Sequence, residues 1–175
     1  MRNLATNSMI NEETDLDEAD RRLLQAMQAD AAVSQAELAE KVGLSPSLVS
    51  RRLSRLREAG VLRAIVGLVD AKRVGLTCSA IIRVRLRDHS APNVRAFRDL
   101  VARLDEVTLC VMLTGEADYL IRIVARDLPH FQEIVQSSLL RCAAIAHVES
   151  SIVLEDLKDT TELPLEKSKP ARKRA

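Results

Sequence analysis

The chain has 175 residues, among them 26 Lys plus Arg, 25 Asp plus Glu and three aromatic side chains. Its apolar fraction of 47% can form a buried core, which excludes wholesale disorder. Three aromatic residues are too few for the stacking platform that usually binds single-stranded nucleic acid. No apolar run approaches the ~20 residues of a membrane span, and no apolar secretory signal opens the chain, so we expect a cytoplasmic protein without a membrane partner.

Residues 1–15 are expected to be a flexible N-terminus, and apolar residues recur at helical spacing directly after them. Asp17 suits the N-cap of a first helix. Ser34 and Glu37 form a capping box that opens a second helix, because each side chain can accept a hydrogen bond from an otherwise unpaired backbone N–H. Gly43 supplies the positive φ angle that ends this helix. The pattern predicts two short helices followed by a tight turn.

The third predicted helix begins with Ser45 as its N-cap and Pro46 at its first position. Helices joined by so short a turn are typical of helix-turn-helix units, here over residues 16–63. At 100° per residue the apolar positions share one face, and the remaining surface carries hydroxyl and guanidinium groups that suit base edges and phosphates. The candidate DNA-binding residues are Ser45, Ser47, Ser50, Arg51, Arg52, Ser54 and Arg55.

Charge is unevenly distributed along the chain. Residues 12–40 carry a balance of −7 and residues 41–63 a balance of +5, so the small total of +1 conceals a strongly basic segment. This basic segment contains the third helix and favours contact with the backbone of double-stranded DNA. The alternative interpretation is an Arg-rich helix face that is merely solvated, and it predicts no affinity for DNA.

The apolar pattern changes from helical to strand-like after residue 63. Residues 64–76 are predicted to form a linker strand or hinge, and residues 77–158 alternate strand and helix in the order β-α-β-β-α-β. This order predicts a ferredoxin-like α+β domain with two helices on one face of an antiparallel sheet. The predicted strands are 78–86, 107–114, 119–125 and 148–154, and the predicted helix caps are Ser90 and Asp127. Residues 159–175 are expected to be a disordered basic tail.

Several short motifs keep a characteristic order and spacing over residues 16–165. They are Leu16-Asp17-Glu18-Ala19-Asp20, Val42-Gly43-Leu44-Ser45-Pro46, Gly60-Val61-Leu62, Thr114-Gly115-Glu116-Ala117-Asp118-Tyr119-Leu120 and Ser150-Ser151-Ile152-Val153-Leu154. Together they resemble the Lrp/AsnC family, the leucine-responsive and asparagine-type transcription regulators. Four positions depart from the usual family pattern: Ala64-Ile65 replaces Gly-Tyr, Glu116 replaces the first Asp of a Gly-Asp-x-Asp loop, and Ser150 replaces Thr.

The resemblance implies a winged-helix-like DNA-binding domain joined to an effector and oligomerisation domain. In the family two chains pair through their sheets, dimers assemble into rings that are often octamers, and an amino acid binds between subunits. Carried over residue by residue, the effector site comprises Met112, Thr114, Gly115, Glu116, Asp118 and Ser150. Asp118 could receive an α-ammonium group and Ser150 could donate to an α-carboxylate. The alternative is a plain β-turn in which Asp118 only bonds backbone amides.

The resemblance also implies a sequence-specific, nucleoid-associated regulator of an operon for amino-acid metabolism, with a catabolic pathway favoured. One alternative is a ligand-insensitive architectural protein that compacts DNA, and another is a metabolic regulator without a DNA role. We expect no catalytic activity, no metal and no cofactor other than an amino acid or derivative as effector. The three histidines and three cysteines lack zinc-type spacing, and the sequence has no phosphate-binding glycine loop or nucleophile elbow.

Overall fold

The computed structural model describes residues 15–165, which form two compact units. The N-terminal unit contains the chain up to Gly67 and the segment from Asp159 onward, and the C-terminal unit spans Leu68–Lys158. Each unit has its own hydrophobic core. Most of the expected flexible N-terminus, residues 1–14, and the end of the expected basic tail, residues 166–175, lie outside the described residues.

The N-terminal unit is built from three helices. They are α1 (Glu18–Ala29), α2 (Gln35–Val42) and α3 (Pro46–Glu58). The predicted N-caps are confirmed, because the side chains of Asp17, Ser34 and Ser45 each accept a hydrogen bond from a backbone N–H of the first turn. Gly43 adopts the left-handed conformation with φ 69° and ends α2, as predicted. Apolar residues from all three helices meet in one core.

The C-terminal unit is a four-stranded antiparallel sheet covered by helices on one face. Its elements are β1 (Cys78–Leu86), α4 (Ala91–Arg103), β2 (Val107–Met112), β3 (Tyr119–Ala125), α5 (Leu128–Ile134) with a π-helical continuation (Val135–Leu139), and β4 (Ile145–Ile152). The strand order is β2-β3-β1-β4, as in a ferredoxin-like fold. Alternate residues of β1 and β3 are buried in one core with Phe97 of α4 and Phe131 of α5. The predicted α+β architecture is confirmed.

The predicted linker strand is not formed within the single chain. Residues 64–70 have no strand conformation, and Ile65 and Leu68 are 50% and 76% exposed. A strand needs a neighbouring strand to complete its hydrogen bonds, and periodicity alone does not reveal whether such a neighbour lies within reach. A short 3-10 helix, Lys72–Val74, is the regular element observed in the predicted linker.

Three further details differ from the predictions. β4 runs over Ile145–Ile152 rather than 148–154, because it pairs with β1 across a register shift between Arg85 and Leu86. The side chain of Ser90 makes no capping hydrogen bond at the start of α4. Residues 159–165, assigned to the disordered tail, lie against α1, with the Leu165 side chain packed on the core of the N-terminal unit. Packing of the Leu165 side chain and hydrogen bonds from Gln25 and Gln28 to the backbone of Leu163 and Leu165 hold this segment.

Candidate nucleic-acid interface and effector site

The rotation of α3 about its axis is determined by its buried apolar residues. Val49, Leu53 and Leu56 are at most 4% exposed and pack with α1 and α2. Because each residue turns a helix by about 100°, the side opposite these three positions faces outward. The exposed side chains on that outer face are Ser47, Arg51, Ser54, Arg55 and, at the end of the helix, Glu58, with Ser50 at the border of the face. Toward its start, α3 therefore presents hydroxyl groups around the guanidinium group of Arg51, whereas Glu58 places a carboxylate at the far end of the same face.

The start of α3 adds hydrogen-bonding groups to this face. The hydroxyl of Ser45 accepts a hydrogen bond from the Leu48 N–H at 3.3 Å and lies 3.2 Å from the hydroxyl of Ser47. The first turn of a helix also carries unpaired backbone N–H groups and a partial positive charge. These groups together suit a phosphate oxygen of a duplex backbone.

Two of the predicted DNA-binding arginines bond a buried carboxylate in α1. Asp20 is fully buried, and its Oδ1 accepts a hydrogen bond from Nη1 of Arg52 at 2.8 Å. Its Oδ2 accepts a hydrogen bond from Nη2 of Arg55. Nη1 of Arg52 also lies 2.6 Å from Oδ2 of Asp17, the N-cap of α1. These four residues form the Asp20 cluster, which joins α1 to α3.

Within the Asp20 cluster, Arg52 is more fully engaged than Arg55 and is therefore less available to contact DNA. The Arg52 side chain is 21% exposed and donates to two carboxylates, whereas that of Arg55 is 53% exposed and keeps further N–H donors at the surface. Hydrogen bonds to Asp17 and Asp20 raise the pKa of the Arg52 guanidinium. Burial raises the pKa of Asp17, but the Asp20 N–H and Arg52 outweigh burial and lower it below the usual carboxyl value. Arg52 therefore orients α3 within the unit.

Asp20 was missed as an important residue by the sequence interpretation, although a signal exists. Asp20, Leu23, Leu24 and Met27 follow the i, i+3, i+4, i+7 spacing of one helix face, and the last three are core residues. An acidic residue in such a row must be paired when buried, because an isolated buried charge is strongly unfavourable. The buried position of Asp20 in this row therefore predicts a basic partner for its carboxylate on another helix.

The loop between β2 and β3 contains most of the predicted effector residues. Gly115 has φ 114°, a backbone conformation that strains other residues. Thr114, Gly115 and Glu116 are exposed, and the side chain of Met112 at the end of β2 is largely exposed. The loop can therefore contact a small molecule or another chain.

The carboxylate of Asp118 is bonded within its own unit. Its Oδ2 accepts a hydrogen bond from the Leu86 N–H at 2.7 Å, and its Oδ1 lies 2.8 Å from Nε2 of His89. Burial raises the pKa of Asp118, but the Leu86 N–H, His89 and the charge of Arg85 outweigh burial and lower it below the usual value. This geometry agrees with the alternative in which Asp118 stabilises the backbone.

Replacing Asp118 with alanine is expected to lower the free energy of unfolding of the C-terminal unit by about 1–3 kcal/mol at pH 7, because the buried Leu86 N–H loses its acceptor. The lowered pKa of Asp118 means that this stabilisation is present above the usual carboxyl pKa of about 3.9 and is lost as the pH falls through the folded-state value. Urea denaturation at pH 7 and near pH 2 measures the difference. His89→Ala, which keeps the Leu86 bond, should have the smaller effect, and an Asp118→Ala effect independent of pH would contradict this assignment.

Ser150 lies at the opposite edge of the sheet from the β2–β3 loop. Ser150 belongs to β4 and pairs with Ile82, while Met112 belongs to β2 and pairs with Tyr119. With the order β2-β3-β1-β4 and about 4.8 Å between neighbouring strands, the two edges are about 14 Å apart. A single chain therefore does not bring the six predicted effector residues into one site.

Within residues 15–165, no group of three or more His, Cys, Asp or Glu side chains is arranged to hold a metal ion. None of the helices in this range is both long enough and apolar enough to cross a membrane.

Comparison with protein families gives two matches. Residues 16–63 match a winged helix-turn-helix DNA-binding model, which covers α1 to α3. Residues 79–163 match the Lrp/AsnC ligand binding domain, which covers the four-stranded sheet and its helices.

Similar known proteins include transcriptional regulators matched over most of their length. Transcriptional regulator AzlB of Bacillus subtilis is 33% identical over 151 residues, which cover 86% of this chain and 96% of the relative. The DNA-binding transcriptional activator DecR of Escherichia coli is 33% identical over 86% of this chain and 99% of its own length. A transcriptional regulator of Neisseria meningitidis in complex with L-Met has a TM-score of 0.83 at 37% identity, with 86% of this chain and 97% of that chain covered.

Proposed function

The chain belongs to the Lrp/AsnC family of transcription regulators, with a DNA-binding and a ligand-binding domain, and we propose that it recognises a specific double-stranded operator through the outer face of α3. The observation that carries this proposal is the exposed set Ser47, Arg51 and Ser54 opposite the buried stripe of α3, with the exposed Ser50 beside it. A guanidinium at this position suits O6 and N7 of a guanine in the major groove. The surrounding hydroxyls suit base edges and phosphate oxygens.

The other predicted contacts take different roles in this proposal. Ser45 and the first turn of α3 hold a phosphate. Arg55 contributes to phosphate binding with the N–H groups that do not face Asp20, and Arg52 keeps α3 in its orientation. Affinity and its salt dependence then come from the phosphate contacts, while Arg51 and its neighbours supply sequence preference.

Family membership supports a homodimer that assembles further, with an octamer as the expected form. A two-fold dimer presents two α3 helices, so its operator should be pseudo-palindromic with half-sites about one DNA turn apart. The proposed target is an operon of amino-acid metabolism, preferably catabolic, next to the regulator's own gene. The protein then acts at the nucleoid in the cytoplasm, where this DNA lies.

The proposed effector is an amino acid or a derivative bound between two copies of the chain. The separation of about 14 Å between the edge strands that carry Met112 and Ser150 supports a shared site, in which one copy supplies the β2–β3 loop and the other supplies Ser150. The L-Met complex of the relative from Neisseria meningitidis supports the chemical class. An α-ammonium group would share Asp118 with His89 and Leu86, because a carboxylate accepts several hydrogen bonds.

Ser150→Ala is expected to weaken binding of the effector roughly 10-fold or more without changing the stability of the fold, because it removes one hydrogen bond to a carboxylate. Isothermal titration calorimetry against the common amino acids measures this loss. Ser151→Ala is the matched control, since Ser151 pairs with Ile81 on the other face of the sheet. Equal weakening by both substitutions, or by neither, would refute the role of Ser150.

A second candidate function is that of a ligand-insensitive architectural protein. It is favoured by the observation that Asp118 already bonds Leu86 and His89 within the chain. Fluorescence anisotropy with a labelled duplex from upstream of the regulator's gene and a scrambled duplex separates the two functions. A regulator should prefer the operator by about 1,000-fold or more. Its affinity should also shift when the effector is added. Equal affinity for both duplexes with no response to any amino acid would favour the architectural protein.

A further inference from the structure

The peptide chain passes between the two units twice. It leaves the N-terminal unit after Gly67 and returns to it after Lys158. The first passage includes residues 64–70, which have no strand conformation. The second passage leads from the end of β4 to residues 162–165, which we call the strap. The unit that contains α3 therefore has two attachments to the unit that contains the sheet.

The strap is held on α1 by the side chains of two glutamines. Oε1 of Gln28 accepts a hydrogen bond from the Leu163 N–H at 2.7 Å, and its Nε2 donates to the Leu163 carbonyl oxygen at 3.2 Å. Nε2 of Gln25 donates to the carbonyl oxygen of Leu165 at 3.0 Å, and the Leu165 side chain packs on the core of α1 to α3. Because both backbone groups of Leu163 are bonded, the register of the strap on α1 is defined as well as its position.

The other end of the second passage is attached to the sheet. The N–H of Val153, directly after β4, donates to the carbonyl oxygen of Ser79 in β1 at 2.8 Å. The chain from Val153 to Leu163 reaches at most about 33–36 Å when fully extended. While the strap is docked on α1, this length limits how far the N-terminal unit can move from the end of β4.

The contacts of the strap can be released without unfolding either unit. The side chain of Gln25 is exposed, Leu163 is 69% exposed, and the hydrogen bonds of the strap lie at the surface. Exposed hydrogen bonds with little buried apolar area are typical of the least stable parts of a protein. The chain therefore has two states, with the strap docked or released, which differ in the freedom of the N-terminal unit.

From these contacts we infer that the strap is a releasable second tether that restricts the orientation of α3. The inference rests on the proposed DNA-binding function and adds to it a control of operator geometry. A dimer gains avidity only if both of its α3 helices reach their half-sites at the same time. With the strap docked, one spacing of the half-sites is preferred. With the strap released, the helices reach more spacings, each at a lower effective concentration.

The competing interpretation is that the strap only stabilises the N-terminal unit. The Leu165 side chain packs on the core of this unit, so in that case loss of the strap loosens α1 to α3. A loosened unit binds even a single half-site less well, whereas loss of a tether leaves binding to a single half-site unchanged. A duplex with one half-site therefore separates the two interpretations.

The strap is released by Gln25→Ala plus Gln28→Ala, since alanine removes the three hydrogen bonds and is a good helix former in α1. Exposed Gln132→Ala in α5 is the matched control. A second variant replaces residues 162–165 with Gly-Ser-Gly-Ser at full length. Fluorescence anisotropy measures the affinity for the operator duplex, for an operator with a half turn of about 5 base pairs inserted between its half-sites, and for a single half-site.

In the wild-type chain the inserted half turn should weaken binding about 100-fold or more, because only one α3 helix then contacts its half-site. Both variants should show a loss of only about 10-fold or less, and should bind the operator about 3- to 10-fold more weakly than the wild-type chain. Their affinity for the single half-site should be unchanged. Hydrogen exchange in residues 159–165 should become faster in the double variant, which shows that the strap is released.

The same discrimination between the two spacings in the variants and in the wild-type chain would overturn the tether. An equal loss of affinity for all three duplexes would also overturn it, because that result indicates a loosened unit. Light scattering should give one oligomeric state for all chains, and a changed state in both variants would assign the strap to assembly instead. Failure of the wild-type chain to bind any of the three duplexes would overturn the proposed function itself.

Discussion

Replacing Asp20 with alanine is expected to destabilise the N-terminal unit by about 3–5 kcal/mol, the usual effect of removing one partner from a buried ion pair. Asp20 is fully buried and bonds Arg52 and Arg55 across the interface between α1 and α3. Without it, the half-buried Arg52 loses one of two carboxylate partners, and the Asp17 N–H loses its capping acceptor. Domains of this size have a total stability of only ~5–15 kcal/mol, so the variant should open α1 from α3 frequently.

Hydrogen–deuterium exchange in peptides of α1 and α3 measures this opening directly, since the two units need not unfold together. Peptides of β1 and β3 provide an internal reference in the same molecule. Asp15→Ala is the matched control, because it removes an exposed carboxylate close to the same end of α1. Wild-type protection of α1 and α3 in the Asp20→Ala protein would refute the structural role of the Asp20 cluster.

The helices of the N-terminal unit could be predicted from the sequence because their signals are local. Asp17, Ser34 and Ser45 cap backbone groups three residues away, and Gly43 ends α2 through its own φ angle. Such interactions depend on neighbours within one turn, so the residues themselves encode them. The order of strands and helices over residues 77–158 was predictable for a related reason, since each half-buried element repeats its own period.

The ends of β4 and the state of the linker depend on distant partners. β4 begins at Ile145 because its pairing with β1 continues past a register shift, and no signal within β4 shows that shift. Ile65 and Leu68 have strand-like periodicity, yet this segment does not pair with a neighbouring strand in the single chain. The ordered segment that ends at Leu165 was not predicted, because it bonds Gln25 and Gln28, more than 130 residues away in sequence.

The predicted set of DNA-binding residues included Arg52 because the sequence does not show which distant residues it contacts. At 100° per residue, Arg52 lies about 60° from Val49, at the border of the buried stripe, where a helical wheel alone permits either direction. The carboxylate of Asp20 decides the direction, and it lies 32 residues earlier in the sequence. The predicted effector set had a further limit, because Ser150 and Met112 belong to strands at opposite edges of the sheet. The order of the strands in the sheet separates these residues, and the sequence motifs alone do not reveal that order.

Arg51→Ala is expected to weaken operator binding by about 1–3 kcal/mol, or roughly 5- to 150-fold, because Arg51 is an exposed guanidinium on the outer face of α3. The fold should be unaffected, since Arg51 lies outside the Asp20 cluster. Fluorescence anisotropy with operator and scrambled duplexes measures both affinity and preference. If Arg51 contacts a guanine, the preference for the operator falls; if it contacts a phosphate, binding to both duplexes falls and the salt slope decreases by about 1.

Two further substitutions separate the chemistry of Arg51 from that of the neighbouring arginines. Arg51→Lys keeps the charge but loses the planar pair of donors, so it should restore phosphate binding and fail to restore a bidentate guanine contact. Arg55→Ala should reduce protection of α1 and α3 from hydrogen exchange, because Arg55 bonds Asp20, and should reduce operator preference less than Arg51→Ala. Wild-type affinity and salt slope in Arg51→Ala would refute recognition by this face of α3. A larger loss of preference in Arg55→Ala would place the base contact on the side of α3 that borders the Asp20 cluster.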